Sequence, residues 1–243
     1  MKNLSIVVFL LCLFVTSPVI GDPSVGTSFY WQQGGTYSPY MLTVDAKINM
    51  QYYNSASSNG GAFWVDLLDG SLGPHYPNTP VANNVFSTWC VEKNVYFYLN
   101  TDYCVSIDPK AYSGGNSGFG GDSISNVTEF IYDKWLADYY AKTNAEQMAL
   151  RDAIHYAEGE LTSLVSGSRA EQIYNEAVSG VGTIGNASHT YALNLWGGWY
   201  QDSYGNWIAT DVQTQLITVP VPAAVLLGLL GLGAAGLKLR KFA

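Results

Sequence analysis

The sequence contains little positive charge. Only 11 of its 243 residues are Lys or Arg, against 19 Asp and Glu. Four basic residues lie in the first 21 and last 25 positions, which contain no acidic residue, so residues 22–218 carry seven basic and 19 acidic groups and a net charge of −12. With no basic stripe to displace counterions, this composition excludes nucleic acid as a partner.

Cysteine and histidine are also scarce, with three of each in the chain. The cysteines form no CxxC pair and have no zinc-site spacing, so we predict no metal and no cofactor. His155 and Glu158 lie about one helical turn apart, but the HExxH pattern of a metalloprotease is missing, and we expect this pair on the surface. No local spacing predicts a catalytic site.

The first 21 residues have the pattern of a secretory signal peptide. Lys2 gives a short positive start, residues 6–15 are almost all apolar, and small residues precede Asp22. This order predicts cleavage by signal peptidase before Asp22, and therefore export. Cys12 lies inside the apolar run and is removed with it.

The last 25 residues consist of three parts in a fixed order. The first is a proline-stiffened segment made of Val219, Pro220, Val221 and Pro222. An uncharged run, residues 223–237, spans about 22 Å as a helix, which is short for a bilayer core of about 30 Å. The basic end, made of Lys238, Arg240 and Lys241, is expected to stay on the cytoplasmic side and stop translocation.

This ordered tail behind a signal peptide resembles the PEP-CTERM sorting signal of bacterial exosortase substrates. Val221 stands where the family usually has glutamate. The resemblance implies that an exosortase, a membrane transpeptidase, processes the tail after transient anchoring and that the protein reaches the cell surface or the extracellular matrix. The alternative is an ordinary single-pass tail anchor.

Residues 22–218 predict a single domain that is mostly β. Residues 40–50 alternate apolar and polar side chains as one strand, and a short apolar run follows at residues 61–68. Residues 85–91, 95–99 and 103–107 predict a meander, because they are rich in β-branched and aromatic residues. Two further strands are predicted at residues 190–196 and 207–219.

Between these strands the apolar period changes from two to between three and four, which predicts helices at about residues 124–178. The segments are residues 124–139, residues 145–158 after the possible cap Asn144, and residues 168–178. The predicted fold class is therefore α+β: an antiparallel sandwich or barrel with a helical insertion, flanked by an N-terminal signal helix and a C-terminal membrane helix.

The middle of the chain resembles PEP-CTERM proteins related to thioester domains. The resemblance rests on residues 86–92 (FSTWCVE), 130–135 (FIYDKW), 151–155 (RDAIH) and 213–216 (QTQL). In thioester domains a cysteine thiolate attacks a glutamine amide and leaves a strained thioester. Cys90 stands at the cysteine position, but Arg151 occupies the position of the glutamine. Gln147, one helical turn earlier, is the nearest substitute.

Two readings remain open for Cys90 besides the thioester. It is either a buried apolar cysteine or the partner of Cys104 in a disulfide, which the oxidising surroundings outside the cell would preserve. The aromatic residues of segments 196–200 and 204–207 also allow two readings. Exposed, they would stack on sugar rings; buried, they would close the core.

The sequence as a whole predicts an exported surface or extracellular-matrix protein that is structural or adhesive and has no catalytic activity. Its expected partners are signal peptidase and exosortase during export, the membrane through the tail, and extracellular polysaccharide. Two alternatives are a covalent thioester-type adhesin that uses Cys90 and a secreted carbohydrate-binding protein.

Overall fold

The computed structural model describes residues 22–33, 35–55, 58, 60–70, 85–93, 95–112, 120–181 and 190–218. The predicted signal peptide (1–21), sorting motif and basic end (219–243) lie outside these ranges. Within them, no helix combines the length and the apolar character that crossing a membrane requires.

The described part of the chain is mostly β with three helices, as the sequence predicted. The strands β1 to β10 are Ser28–Gln33, Thr36–Thr43, Ala46–Tyr52, Phe63–Gly70, Val85–Thr88, Asp102–Asp108, Lys110–Ala111, Asp122–Ser123, Thr190–Gln201 and Trp207–Thr218. Eight of them form one sheet in the order β2-β1-β10-β9-β6-β3-β4-β5, and β7 pairs with β8. The prediction of a purely antiparallel sheet is wrong, because β1 runs parallel to β10.

The sheet folds back on itself through the residues that follow β5. Cys90 forms a β-bridge with Gln215 of β10. On either side of this bridge, the Leu216 amide donates to the Trp89 carbonyl at 3.0 Å, and the Val91 amide donates to the Thr214 carbonyl at 3.1 Å. One edge of β10 is thus shared between β1 and residues 89–91, and strands β10, β9, β6, β3, β4 and β5 close a ring.

Two of the predicted strands differ in the structure: one is divided into two strands, and the other is not a strand. The alternating run 40–50 is broken at Asp45, whose side chain accepts a hydrogen bond from the Ile107 amide at 2.7 Å, so the chain leaves β2 and starts β3 beside β6. Residues 95–99 form no strand. Phe97 and Leu99 instead pack against the inner core, although their alternation resembles that of a strand.

The three helices α1 (Asn126–Leu136), α2 (Asn144–Ala157) and α3 (Arg169–Gly180) occupy the predicted region. Each begins after a hydroxyl side chain that accepts a backbone amide: Ser125, Thr143 and Ser168. The sequence placed the α2 cap at Asn144, one residue too late. These caps satisfy amides that the first turn of a helix leaves unpaired.

The core lies on both faces of the sheet. Inside the ring, alternate residues of β3, β4, β6 and β9 form one cluster with Phe86 and Cys90. On the outer face, Trp89, Leu216 and Ala192 pack against the helices. This alternation follows from the two-residue period of a strand, and it decides which side chains can meet in the candidate site.

Candidate functional site

A cavity of about 450 Å³ lies beside the point where the ring closes. Its walls come from the end of β3, the start of β4, residues 90–99, helix α2 and β10. The volume falls within the range of about 300–1,000 Å³ that small-molecule sites occupy. The polar side chains in the wall are Ser58, Glu92, Lys93, Arg151, Asp152, His155 and Gln213.

Cys90 contributes its thiol to this wall from the inner face of the ring. The Gln215 side-chain amide donates to its sulfur, with Nε2 and Sγ 3.2 Å apart. Burial raises the pKa of the Cys90 thiol to about 12, although the Gln215 bond acts in the opposite direction. The sulfur is therefore a protonated thiol at neutral pH and a weak nucleophile.

Glu92 is buried and 2% exposed, two residues beyond Cys90. Its Oε2 accepts the Thr214 amide at 2.9 Å, whereas Oε1 has no hydrogen-bond partner in the protein. Burial raises the pKa of this carboxyl from its ordinary 4.5 to about 8, against the lowering effect of the Thr214 bond. At neutral pH Glu92 is thus a carboxylic acid that can donate a hydrogen bond.

His155 on α2 is 4% exposed, which corrects the prediction of a surface His–Glu pair. Its imidazole is hydrogen-bonded to the Cys90 backbone carbonyl, and Nε2 has no partner, so Nδ1 is the donor. Burial, and next the charge of Arg151, lower the pKa of His155 from 6.5 to about 4. The neutral ring therefore leaves Nε2 as a hydrogen-bond acceptor. Glu158 accepts the Ser125 amide at 3.0 Å, at the start of α1.

Charged side chains in the wall are less buried and partly paired. Arg151 donates from Nε to Asp152 Oδ1 at 2.8 Å, and the side chains of these residues are 28% and 37% exposed. The Lys93 amide donates to Glu160 Oε2 at 3.3 Å, which brings a carboxylate next to that lysine. Arg151 is therefore paired with a carboxylate, and a second carboxylate lies beside the backbone of Lys93.

Aromatic rings supply the apolar part of the wall. This aromatic wall consists of Tyr52, Phe63, Tyr96 and Phe97. Phe63 and Phe97 meet edge to face with ring centroids 4.9 Å apart, which fixes both rings. Tyr52 is 54% and Tyr96 80% exposed, so the wall extends to the surface.

Gln147, the predicted thioester partner, has a different role. Its Oε1 accepts the Ala62 amide at 3.1 Å, and its Nε2 donates to the Lys142 carbonyl at 3.2 Å. The side chain is fully buried and joins α2 to the start of β4. It is not in the cavity wall, and the glutamine that meets Cys90 is Gln215.

The predicted Cys90–Cys104 disulfide is absent, and both residues are free thiols. Cys104 lies in an outer cluster with Trp196, whereas its neighbours Tyr103 and Val105 point into the ring, where Cys90 also lies. Neighbouring residues of a strand point to opposite faces, so the sheet separates the two sulfurs. The reading of Cys90 as a buried cysteine is the one the structure supports.

The aromatic residues of segments 196–200 and 204–207 mostly pack in the core. Trp196 is 1% exposed and packs with Phe29, while Trp199 and Trp207 pack around the same cluster. Only Tyr204, in the turn before β10, is highly exposed among these residues. The core reading is therefore the correct one for the tryptophans.

The sequence did not identify Glu92 or His155 as site residues. Glu92 appeared only within the resemblance motif, and its burial depends on the return of residues 89–92 to β10, more than 100 positions away. Among the residues that the structure describes, no group of three or more His, Cys, Asp and Glu side chains could hold a metal ion. No family model, curated protein or solved structure matches the chain.

Proposed function

We propose that the chain is an exported bacterial surface or extracellular-matrix protein with a structural or adhesive role and no catalytic activity. The observation that carries this proposal is the tail, in which the sorting motif at residues 219–222 precedes an apolar run and a basic end. During export, signal peptidase acts on the N-terminal segment and exosortase acts on the tail. Extracellular polysaccharide is the partner outside the cell.

The position of the last strand supports this proposal. β10 ends at Thr218, directly before Val219. Processing at or beyond Val219 would therefore leave every described strand in place. The protonated state of Cys90 also favours a binding role over nucleophilic catalysis.

Cell fractionation tests the sorting role. When the full sequence is expressed in a host that has an exosortase, we expect the processed protein outside the inner membrane. In a host that lacks the enzyme, we expect the protein in the membrane fraction. Deletion of residues 219–243 should remove the difference between the two hosts. A variant with Lys238, Arg240 and Lys241 changed to Gln is the matched control for the basic end alone.

A different outcome would support the tail-anchor alternative. If the full chain stays in the membrane fraction in both hosts, residues 223–237 act as a permanent anchor and the exosortase proposal is wrong. If deletion of the tail has no effect on the distribution, the tail carries no sorting information.

A covalent adhesin is the second candidate, and the 3.2 Å contact between Cys90 Sγ and Gln215 Nε2 favours it. In this reaction Sγ bonds to Gln215 Cδ, the bond from Cδ to Nε2 breaks, and ammonia leaves with the thiol proton. An amine of a partner would then displace the sulfur, form an amide with Cδ and regenerate the thiol. The high pKa of the thiol opposes the first step.

Intact-mass spectrometry separates the two candidates. A thioester lowers the mass of the chain by that of ammonia, and methylamine restores a similar mass by forming an amide. The binding role predicts an unmodified mass and no reaction with methylamine. Gln215→Glu is the control variant, since it keeps the size of the side chain and removes the leaving amine.

A further inference from the structure

The cavity wall contains two buried polar atoms without partners. Glu92 Oε1 and His155 Nε2 belong to side chains that are 2% and 4% exposed, and neither atom has a hydrogen bond within the protein. Both residues line the cavity. Since buried polar atoms are nearly always hydrogen-bonded, two orphans in the wall of one cavity indicate a ligand with polar groups.

We infer that the cavity binds a neutral saccharide unit, with hydroxyl groups bonded to Glu92 and His155 and the ring packed on the aromatic wall. The inference rests on the proposed adhesive function for the source of the ligand, an extracellular polysaccharide. It adds the site and the chemical class that the sequence could not give.

One of the two unpaired atoms donates a hydrogen bond and the other accepts one, which favours a ligand with hydroxyl groups. Protonated Glu92 donates from its free oxygen, and neutral His155 accepts at Nε2. A carboxylate can accept a hydrogen bond from Glu92 but cannot donate one to His155. An ammonium group can donate to His155 but cannot accept from Glu92. A hydroxyl both donates and accepts, so a molecule with several hydroxyls satisfies both atoms.

The aromatic wall suits the apolar faces of a sugar ring. Binding sites combine aromatic surface with a few placed polar groups, and the cavity has this composition. Tyr52 and Tyr96 are exposed at the surface end of the wall, while Phe63 is buried at 5%. One sugar unit can therefore enter the cavity while the rest of a polysaccharide chain continues over the exposed tyrosines.

The charges around the cavity are consistent with a neutral ligand. Arg151 is paired with Asp152, and the Glu160 carboxylate lies at the Lys93 backbone. An anionic sugar would have to compete with the Asp152 carboxylate for Arg151, and the Glu160 carboxylate beside the Lys93 backbone would repel it. The charged side chains in and beside the wall thus have no excess of one sign that would favour a charged ligand.

Calorimetric titration of the full-length chain tests the inference. The chain is purified in a zwitterionic detergent that contains no sugar, and the probes are cellobiose, lactose and diacetylchitobiose, with digalacturonic acid as the anionic comparison. We expect at least one neutral disaccharide to bind. Tyr96→Ala and His155→Phe should each weaken binding about tenfold, the equivalent of one hydrogen bond or ring contact.

One further variant serves as a control. Tyr204→Ala removes another highly exposed tyrosine, away from the cavity, and should leave the affinity unchanged.

The inference is overturned if no neutral disaccharide binds at millimolar concentration, or if only digalacturonic acid binds. It is also overturned if Tyr96→Ala and Tyr204→Ala have the same affinity as the wild type. Because cell fractionation measures sorting independently, failure of sugar binding would leave the proposed export route untouched.

Discussion

The stability of this protein should fall at mildly alkaline pH because Glu92 is folded as a neutral acid. Its pKa is about 8 in the folded protein and about 4.5 when exposed. Between these values the folded state holds a proton that the unfolded state has released. Each pH unit in this window therefore lowers the free energy of unfolding by about 1.4 kcal/mol.

The titration of His155 changes the free energy of unfolding in the opposite direction, and at lower pH. Its pKa is about 4 in the folded protein and 6.5 when exposed, so the unfolded state gains a proton between these values. The stability that neutral His155 contributes is lost as the pH falls towards 4. Between about pH 4.5 and 6.5 the contributions of Glu92 and His155 to the pH dependence of stability cancel. Above pH 6.5 Glu92 acts alone and removes about 2 kcal/mol by pH 8.

The variant Glu92→Gln isolates this contribution, since glutamine does not titrate and keeps a similar shape. Other buried carboxyls with raised pKa values, those of Glu158 and Asp45, remain in both proteins and largely cancel in the difference. The stability of the wild type relative to the variant should fall by about 4 kcal/mol from pH 5 to pH 8. This is a large part of the total of about 5–15 kcal/mol expected for a domain.

Urea unfolding at pH 5, 6.5 and 8 measures these differences, with the fluorescence of the seven tryptophans as the signal. Gln172→Leu, which changes an exposed residue that does not ionise, is the control and should give a difference that is independent of pH. A constant difference between wild type and Glu92→Gln across this range would refute the reasoning. It would mean that Glu92 ionises in the folded protein as it does in water.

Three further predictions concern the framework around the cavity. Gln147→Leu removes the hydrogen bonds of this buried side chain to the Ala62 amide and the Lys142 carbonyl, and should lower the free energy of unfolding by about 2–4 kcal/mol in urea titrations. Gly180→Ala places a methyl group against the Phe130 ring, too close for van der Waals contact, and should lower the free energy of unfolding by about 1–3 kcal/mol in the same assay. Cys90 and Cys104 should both react with a thiol reagent under denaturing, non-reducing conditions, and only slowly in the folded protein.

Each of these predictions has a control or a contrary outcome. Gln172→Leu changes an exposed helix position, and Gly120→Ala adds a methyl group where no atom lies within 4 Å, so both should be nearly neutral. Equal stabilities of Gln147→Leu and Gln172→Leu would show that the buried amide is unimportant. Absence of both thiols under denaturing conditions would restore the disulfide prediction.

The sequence predicted the local elements well where their periodicity is strong. All three helices lie where the apolar period changes, because their inward faces repeat every three to four residues and their caps are hydroxyl residues. Strand boundaries were less predictable. Residues 95–99 have the β-branched and aromatic composition of a strand, yet no strand among the described residues pairs with them.

The candidate site was largely beyond sequence reasoning, for a physical reason. Glu92 and His155 line the same cavity because residues 89–92 return to β10 and α2 packs beside them, and local patterns do not encode such long-range pairings. The two cysteines illustrate the same point. Their separation of 14 positions allowed a disulfide, and only the sheet register shows that they lie on opposite faces.

Mass spectrometry of the two termini of the secreted protein is the most direct test of the proposed sorting role. We expect the extracellular form to begin at Asp22 and to end before the basic segment 238–243, because signal peptidase and exosortase have removed the flanking segments. Recovery of an extracellular chain that still carries Lys238, Arg240 and Lys241, or one that retains Met1–Gly21, would show that the proposed sorting role is wrong.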